Sequence, residues 1–389
     1  MTAARPAGVA WRLPLLAAAG AALLAGLYAA VLLLGFDVAV PRPALAEVHG
    51  PLMVLGFVGT LIALERAAAL GTRWALAAPG CSGAGGLVLV VAGPVLPGKL
   101  LLATGGVLLL AVYRALWRRQ PGVALLAQAT GAFAWYAATI LWLAGLPIPE
   151  LVPWLATFLT ATIAGERLEL AHVGLTGPAP QRWFLAALAA LVAGATATTL
   201  WPVAGAHLFG AGLLAVVAWL VVFDVARRTV HAHGLPRYIA AGLLTGYAWL
   251  ALAGLLWTGA GPAVAGPRYD ATTHAVFLGF TMSMIFVHAP VILPAVLRRP
   301  LPYRPVLYLP LLLLHGSLLV RVGLGDGAGW EPVWRWAGAG NVTAVLGFAA
   351  CAAALAARAG RHGPRSGPPG SPRRHRPAAA MTVGAEVPR

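Results

Sequence analysis

The chain is a succession of apolar stretches, each about as long as a bilayer is thick. A helix needs roughly 20 apolar residues to cross the hydrocarbon core, and twelve such windows follow one another with short polar gaps between them. This pattern predicts an all-α polytopic membrane protein with about twelve transmembrane helices. The third window contains Pro79 and several glycines, so an irregular or kinked span is expected there. The windows cover residues 13–36, 47–70, 76–97, 99–117, 123–145, 149–172, 183–202, 206–226, 237–260, 270–297, 303–323 and 334–357.

Composition supports a membrane location and argues against nucleic acid as a partner. Hydrophobic residues make up 60% of the 389 residues and charged residues only 10%, with a net charge of +16. The basic residues lie in the gaps between apolar windows and in the tail, where the lipid bilayer explains them better than nucleic acid does. We expect residues 1–358 to form the helical bundle. Residues 359–389, rich in proline, glycine and arginine, are expected to form a disordered cytoplasmic tail.

The distribution of arginine and lysine predicts the orientation of the helices. With twelve windows, 22 of the 27 basic residues fall at the two termini or in the gaps that follow even-numbered helices. Basic residues accumulate on the cytoplasmic side of membrane proteins. We therefore expect a bacterial-type inner membrane protein with both termini in the cytoplasm.

Three windows share a short sequence pattern. The segment FVGTLIALER at 57–66 aligns without gaps with FLTATIAGER at 158–167, and more loosely with FTMSMIFVHA at 280–289. These segments lie on the second, sixth and tenth predicted helices. A repeat every four helices suggests three related four-helix arcs around a pseudo-threefold axis.

Two histidines are candidates for binding a cofactor on the outer side. His49 begins the second helix and His274 begins the tenth, so both imidazoles should lie at a similar depth. They are candidate axial ligands of one haem, because small neighbours such as Gly50 and Ala275 would let a flat macrocycle approach. Alternatively, each is an interfacial histidine hydrated by headgroup water, or a group that transfers protons.

A second polar layer is expected on the cytoplasmic side. Glu65 lies 16 residues after His49, roughly 24 Å along a helix. If the repeat is real, Glu65, Glu166 and His288 occupy equivalent positions and could bind a metal or relay protons. Alternatively, the Glu-Arg pairs anchor helix ends at the interface. Glu169 and His172 form a further pair spaced for ligation on one helical face, or are simply solvated.

His315 lies in the middle of the apolar segment LPLLLLHGSLLVRVG. A buried imidazole needs a polar partner. We therefore expect it to face the bundle, either as a metal ligand or as a hydrogen-bonded packing residue.

The topology and these histidines resemble known haem proteins. About twelve helices in three possible arcs, with histidines on the second and tenth, look like the catalytic subunit of haem-copper oxidases. The segment THAVFLGFTMSMIFVHAP is similar to segments of the NnrS family, haem- and copper-containing membrane proteins linked to nitric-oxide stress. The resemblance implies haem at His49 and His274, with His288 or His315 as a ligand of a second metal.

The copper-site pattern of the oxidases is not present, which argues against a complete oxygen reductase. That pattern is His-x-x-x-Tyr on one helix and a His-His pair on the next, whereas His172 is followed four residues later by Thr176. The leading hypothesis is a haem- and copper-binding membrane protein that handles or senses nitric oxide or redox stress, with a redox partner. The alternatives are a cofactor-free, proton-coupled transporter and an assembly factor that passes haem or metal to an oxidase.

Overall fold

The computed structural model describes residues 11–38, 42–171, 177–297 and 301–361, and these residues contain no strand. Twelve helices within them are long and apolar enough to cross a membrane, which confirms the all-α fold and the number of spans. They are α1 (Leu13–Leu33), α2 (His49–Leu70), α3 (Arg73–Ala92), α4 (Leu96–Trp117), α5 (Val123–Leu143), α6 (Ile148–Ala171), α7 (Ala179–Leu200), α8 (Pro202–Phe223), α9 (Leu235–Ala260), α10 (Gly266–Pro294), α11 (Pro305–Asp326) and α12 (Glu331–Ala359).

The span expected to be irregular, α3, is helical throughout. It begins with a 3₁₀ turn at Arg73–Leu76 and continues as an α-helix over Ala77–Ala92. Pro79 falls in the first turn of that α-helix, where a missing N–H leaves no hydrogen bond unmade. The glycines of α3 serve packing instead, because a Cβ placed on Gly86 would lie 3.1 Å from the Cα of Gly56 in α2.

Helices α2, α6 and α10 lie inside the bundle. Their most apolar windows are 61%, 83% and 61% buried, against at most 50% for any other span. The two helices that precede and follow each inner helix in the chain also contact each other. Helix α1 packs on α3 and α5 packs on α7, while Trp249 of α9 bonds to His315 of α11.

The outer helices form a ring around these three. Consecutive helices pack against each other along the chain, and α1 closes the ring by contacting α12. The inner helices are four spans apart, which is the spacing of the sequence repeat. The packing therefore supports three related four-helix arcs.

Candidate functional site

His49 is held at the first position of α2 by a hydrogen bond to α1. Its Nδ1 lies 2.8 Å from the backbone carbonyl oxygen of Gly26 and therefore carries the proton that it donates. The other ring nitrogen, Nε2, has no hydrogen-bond partner among the described residues. A neutral imidazole arranged in this way keeps its Nε2 lone pair available for a metal.

His274 on α10 is oriented in the same sense. Its Nδ1 lies 2.9 Å from the backbone oxygen of Asp270 and 3.2 Å from the carboxylate of the same residue. In the described part of the chain, its Nε2 also has no hydrogen-bond partner. The backbone oxygen and carboxylate of Asp270 fix the ring and favour the tautomer that leaves Nε2 unprotonated.

Both imidazoles line one cavity, as the haem hypothesis requires. The cavity has a volume of about 410 Å³ and extends from the level of the two histidines down to Val58, Leu159 and Thr281 near the middle of the spans. Its walls are mostly apolar and come from α1, α2, α6, α10, α11 and α12. This volume falls in the range of pockets that bind small organic molecules and cofactors, about 300–1,000 Å³.

Each histidine is followed by a π-helical segment. Leu52–Gly59 of α2 and Ala275–Met282 of α10 both have π geometry, and they match residue for residue when the register of the sequence repeat is continued toward the start of each helix. Both contain a Leu-Gly-Phe triplet, at 55–57 and 278–280. Because π turns in helices are rare and concentrate at functional sites, their equivalent positions beside the cavity support a site there.

Asp270 is the centre of a network that the sequence did not reveal. Its carboxylate accepts two hydrogen bonds from Arg321, at 2.8 and 2.6 Å, and one from the indole N–H of Trp334 at 3.0 Å. Helices α10, α11 and α12 therefore meet beside His274. The available signals were the position of Asp270, one turn before His274, and the presence of Arg321 inside an apolar span.

Two carboxylates of the inner layer pair with the same arginine. Arg66 of α2 bonds to the neighbouring Glu65, lies 3.6 Å from Glu166 of α6, and donates to Gln128 of α5 at 3.1 Å. Glu65 and Glu166 are about 30% exposed. The structure brings these two predicted residues together, with an arginine between them.

A buried ion pair lies on the other side of α6. Arg167, which is 5% exposed, contacts Asp224 through two hydrogen bonds, at 2.6 and 3.0 Å. Tyr247 also donates to Asp224, at 2.7 Å. His288 lies 3.4 Å from Arg167 through Nε2 and 2.9 Å from the carbonyl oxygen of Met284 through Nδ1. His288 therefore belongs to this ion-pair network.

The inner layer follows the pseudo-threefold order. Arg66 reaches from α2 to Glu166 of α6, and Arg167 reaches from α6 to His288 of α10. In each case the arginine of one repeat contacts the position that Glu65 occupies in the first repeat. The third repeat carries Ala289 where the arginine would stand, so no equivalent bond joins α10 back to α2.

His315 forms hydrogen bonds through both ring nitrogens. Nδ1 accepts from the indole of Trp249 at 3.0 Å, so Nε2 is the protonated nitrogen and donates to Ser283 at 2.8 Å. This geometry favours the packing role over the ligand role, because neither nitrogen has a free lone pair.

The residues proposed for a second metal are not gathered in one place. Among the described residues, no group of three or more histidine, cysteine, aspartate or glutamate side chains is placed to hold a metal ion. Glu65 and Glu166 bond to Arg66, His288 faces Arg167, and His315 lies apart from them. His172, the partner proposed for Glu169, lies outside the described residues.

Comparison with known proteins shows the family of this chain. Residues 12–357 match the model described as Domain of unknown function (DUF8744). The chain belongs to this family. The DUF8744 match begins just before α1 and ends within α12, so it covers the helical bundle and leaves out the basic tail. No curated protein and no solved structure matches the chain significantly.

Proposed function

We propose that this membrane protein binds haem between α2 and α10, with His49 and His274 as the axial ligands. The observation that carries the proposal is that both imidazoles line one apolar cavity, each with Nδ1 bonded to the protein and Nε2 without a partner. Two ligands from different helices are enough to hold haem iron. A site of this kind does not need the larger cluster of side chains that holds a bare metal ion.

The residues around the cavity fit a flat, largely apolar cofactor. Gly50 lies next to His49, and a Cβ on it would meet only Ile148, at 3.6 Å. Phe277 and Leu278 line the wall beside His274. The polar groups concentrate at the outer end, where Asp270 and Arg321 also line the cavity, so the walls below them favour an apolar macrocycle.

Haem supplies an iron centre for electron transfer or for binding a small gaseous molecule. With both His49 and His274 as ligands, the iron would serve electron transfer rather than gas binding. The surrounding residues orient the imidazoles and exclude water. The resemblance to the NnrS family extends the proposal to nitric-oxide or redox stress, with a redox partner as electron donor. Copper stays a separate prediction, without a grouped set of ligands to support it.

Haem content tests the proposal directly. The protein is purified in detergent after expression with a haem precursor, and bound haem is measured by its absorption spectrum and by extraction. We expect about one haem per chain in the wild type, and a loss of about tenfold or more in haem affinity for His49→Ala and His274→Ala. His207→Ala is the matched control, because His207 is exposed and bonds to the carbonyl oxygen of Thr258. A folded wild-type protein that takes up no haem would contradict the proposal.

A second candidate is a cofactor-free transporter. The observation that favours it is the pair of π segments in α2 and α10, which line the cavity inside the membrane, since such segments concentrate at functional sites whether or not a cofactor is bound. A colourless wild-type protein that is stabilised by a small organic ligand, and loses this effect in Asp270→Asn, would favour the transporter.

A further inference from the structure

A second groove lies at the arginine-rich end of the bundle, between the first turns of α9 and α11. It has a volume of about 360 Å³, and its polar lining consists of His233, Arg237, Tyr303 and Tyr308. No acidic residue lines it. The side chains of the groove therefore offer the positive charge of Arg237 and several hydrogen-bond donors, with no negative charge.

The two tyrosine rings are held in place by a buried third tyrosine. Tyr238 is fully buried, and its ring lies 5.6 Å from that of Tyr303 and 5.0 Å from that of Tyr308. Its hydroxyl donates to the backbone carbonyl oxygens of Phe286 and Leu307 at 3.4 and 3.3 Å. Contacts within the protein therefore hold the two rings of the groove wall in place without a ligand.

The polar side chains of the groove are not hydrogen-bonded to the described residues. Among the described residues, His233, Arg237, Tyr303 and Tyr308 make no side-chain hydrogen bond or ion pair. An arginine and two tyrosine hydroxyls that line one groove without an acid form a site that phosphate oxygens would complete.

The surface next to the groove is apolar. Leu309 and Leu312 of α11 follow Tyr308 along the helix and are both 64% exposed, as expected for side chains that contact acyl chains. A phosphate group in the groove would therefore lie at the level of the headgroups, with hydrocarbon directly beside it. This continuity favours a phospholipid over a soluble phosphate compound.

We propose that the groove between α9 and α11 binds the headgroup of an anionic glycerophospholipid such as phosphatidylglycerol, with its phosphodiester on Arg237, Tyr303 and Tyr308. The acyl chains lie along Leu309 and Leu312. This site is independent of the cavity between α2 and α10 and of any cofactor bound there.

Native mass spectrometry of the purified full-length chain tests the site, with phosphatidylglycerol or phosphatidylcholine added to the detergent. We expect wild-type protein to retain phosphatidylglycerol in preference to phosphatidylcholine, and Arg237→Gln to bind it about tenfold more weakly. Tyr308→Phe removes one hydroxyl and should weaken binding by a smaller factor. Arg228→Gln is the matched control, because Arg228 is an exposed arginine at the same end that does not line the groove.

Three outcomes would overturn the proposal. Equal binding of the two lipids would show that headgroup charge is not recognised. Equal losses in Arg237→Gln and Arg228→Gln would show only diffuse attraction to the basic end. Displacement of the lipid by inorganic phosphate at the same concentration would assign the groove to a soluble phosphate compound.

Discussion

His49 and His274 face the same cavity, but different groups hold them. A backbone carbonyl oxygen orients His49, whereas His274 also has the carboxylate of Asp270 at 3.2 Å. A carboxylate that accepts from a ligating imidazole increases the basicity of that imidazole. We expect Asp270→Asn to weaken haem binding by about 10–100-fold, measured by titrating haem into the apoprotein. Glu331→Gln, an exposed acid at the start of α12, is the control. An unchanged haem affinity in Asp270→Asn would show that the carboxylate does not contribute to haem binding.

The buried ion pair Arg167–Asp224 should contribute to the stability of the folded protein. Replacing Asp224 with alanine leaves a buried guanidinium without its anion, and breaking such pairs costs about 3–5 kcal/mol. We expect a clear fall in the thermal unfolding midpoint of the detergent-solubilised Asp224→Ala protein. Glu150→Ala, at an exposed position, should leave the midpoint unchanged. If the double variant Arg167→Met with Asp224→Leu were as unstable as Asp224→Ala, an unpaired buried charge would not be the cause.

At the scale of single elements, helix α3 allows a controlled test of close packing. A Cβ on Gly86 would lie 3.1 Å from the Cα of Gly56, whereas a Cβ on Gly80 would have no atom within 4 Å. Both substitutions to alanine raise helix propensity equally, so the difference between them isolates packing. We expect Gly86→Ala to destabilise the protein by about 1–3 kcal/mol and Gly80→Ala not to, measured as unfolding midpoints. Equal midpoints would mean that α2 and α3 separate without cost.

The elements also show what the sequence can and cannot predict. Length and hydropathy predict all twelve spans, because crossing a membrane imposes a minimum length on each helix. The repeat predicts three four-helix arcs, but the burial of α2, α6 and α10 was seen only in the structure. The π segments were not predicted, because the hydropathy of a sequence does not distinguish an α turn from a π turn. The partners of Asp270 and Arg167 were missed for another reason: Arg321, Trp334 and Asp224 lie more than 50 residues away in the chain, and only the packing brings them together.

For the whole molecule, the distribution of basic residues predicts the orientation. In a background that lacks Cys81 and Cys351, we expect Glu150→Cys, in the first turn of α6, to react with an impermeant maleimide in intact cells. Gln120→Cys, in the gap before α5, should react only after the membrane is opened. Both positions are exposed. The reverse labelling pattern would mean that the bundle has the opposite orientation in the membrane and that the groove of Arg237 lies in the other leaflet.

The central claim is that His49 and His274 together ligate one haem. The electron paramagnetic resonance spectrum of the ferric, haem-loaded protein tests it most directly, because two imidazole ligands give low-spin iron and the loss of one gives high-spin iron. We predict a low-spin spectrum for the wild type and for His207→Ala, and a high-spin spectrum for His49→Ala and for His274→Ala. A low-spin spectrum that survives in both cavity variants would contradict the claim.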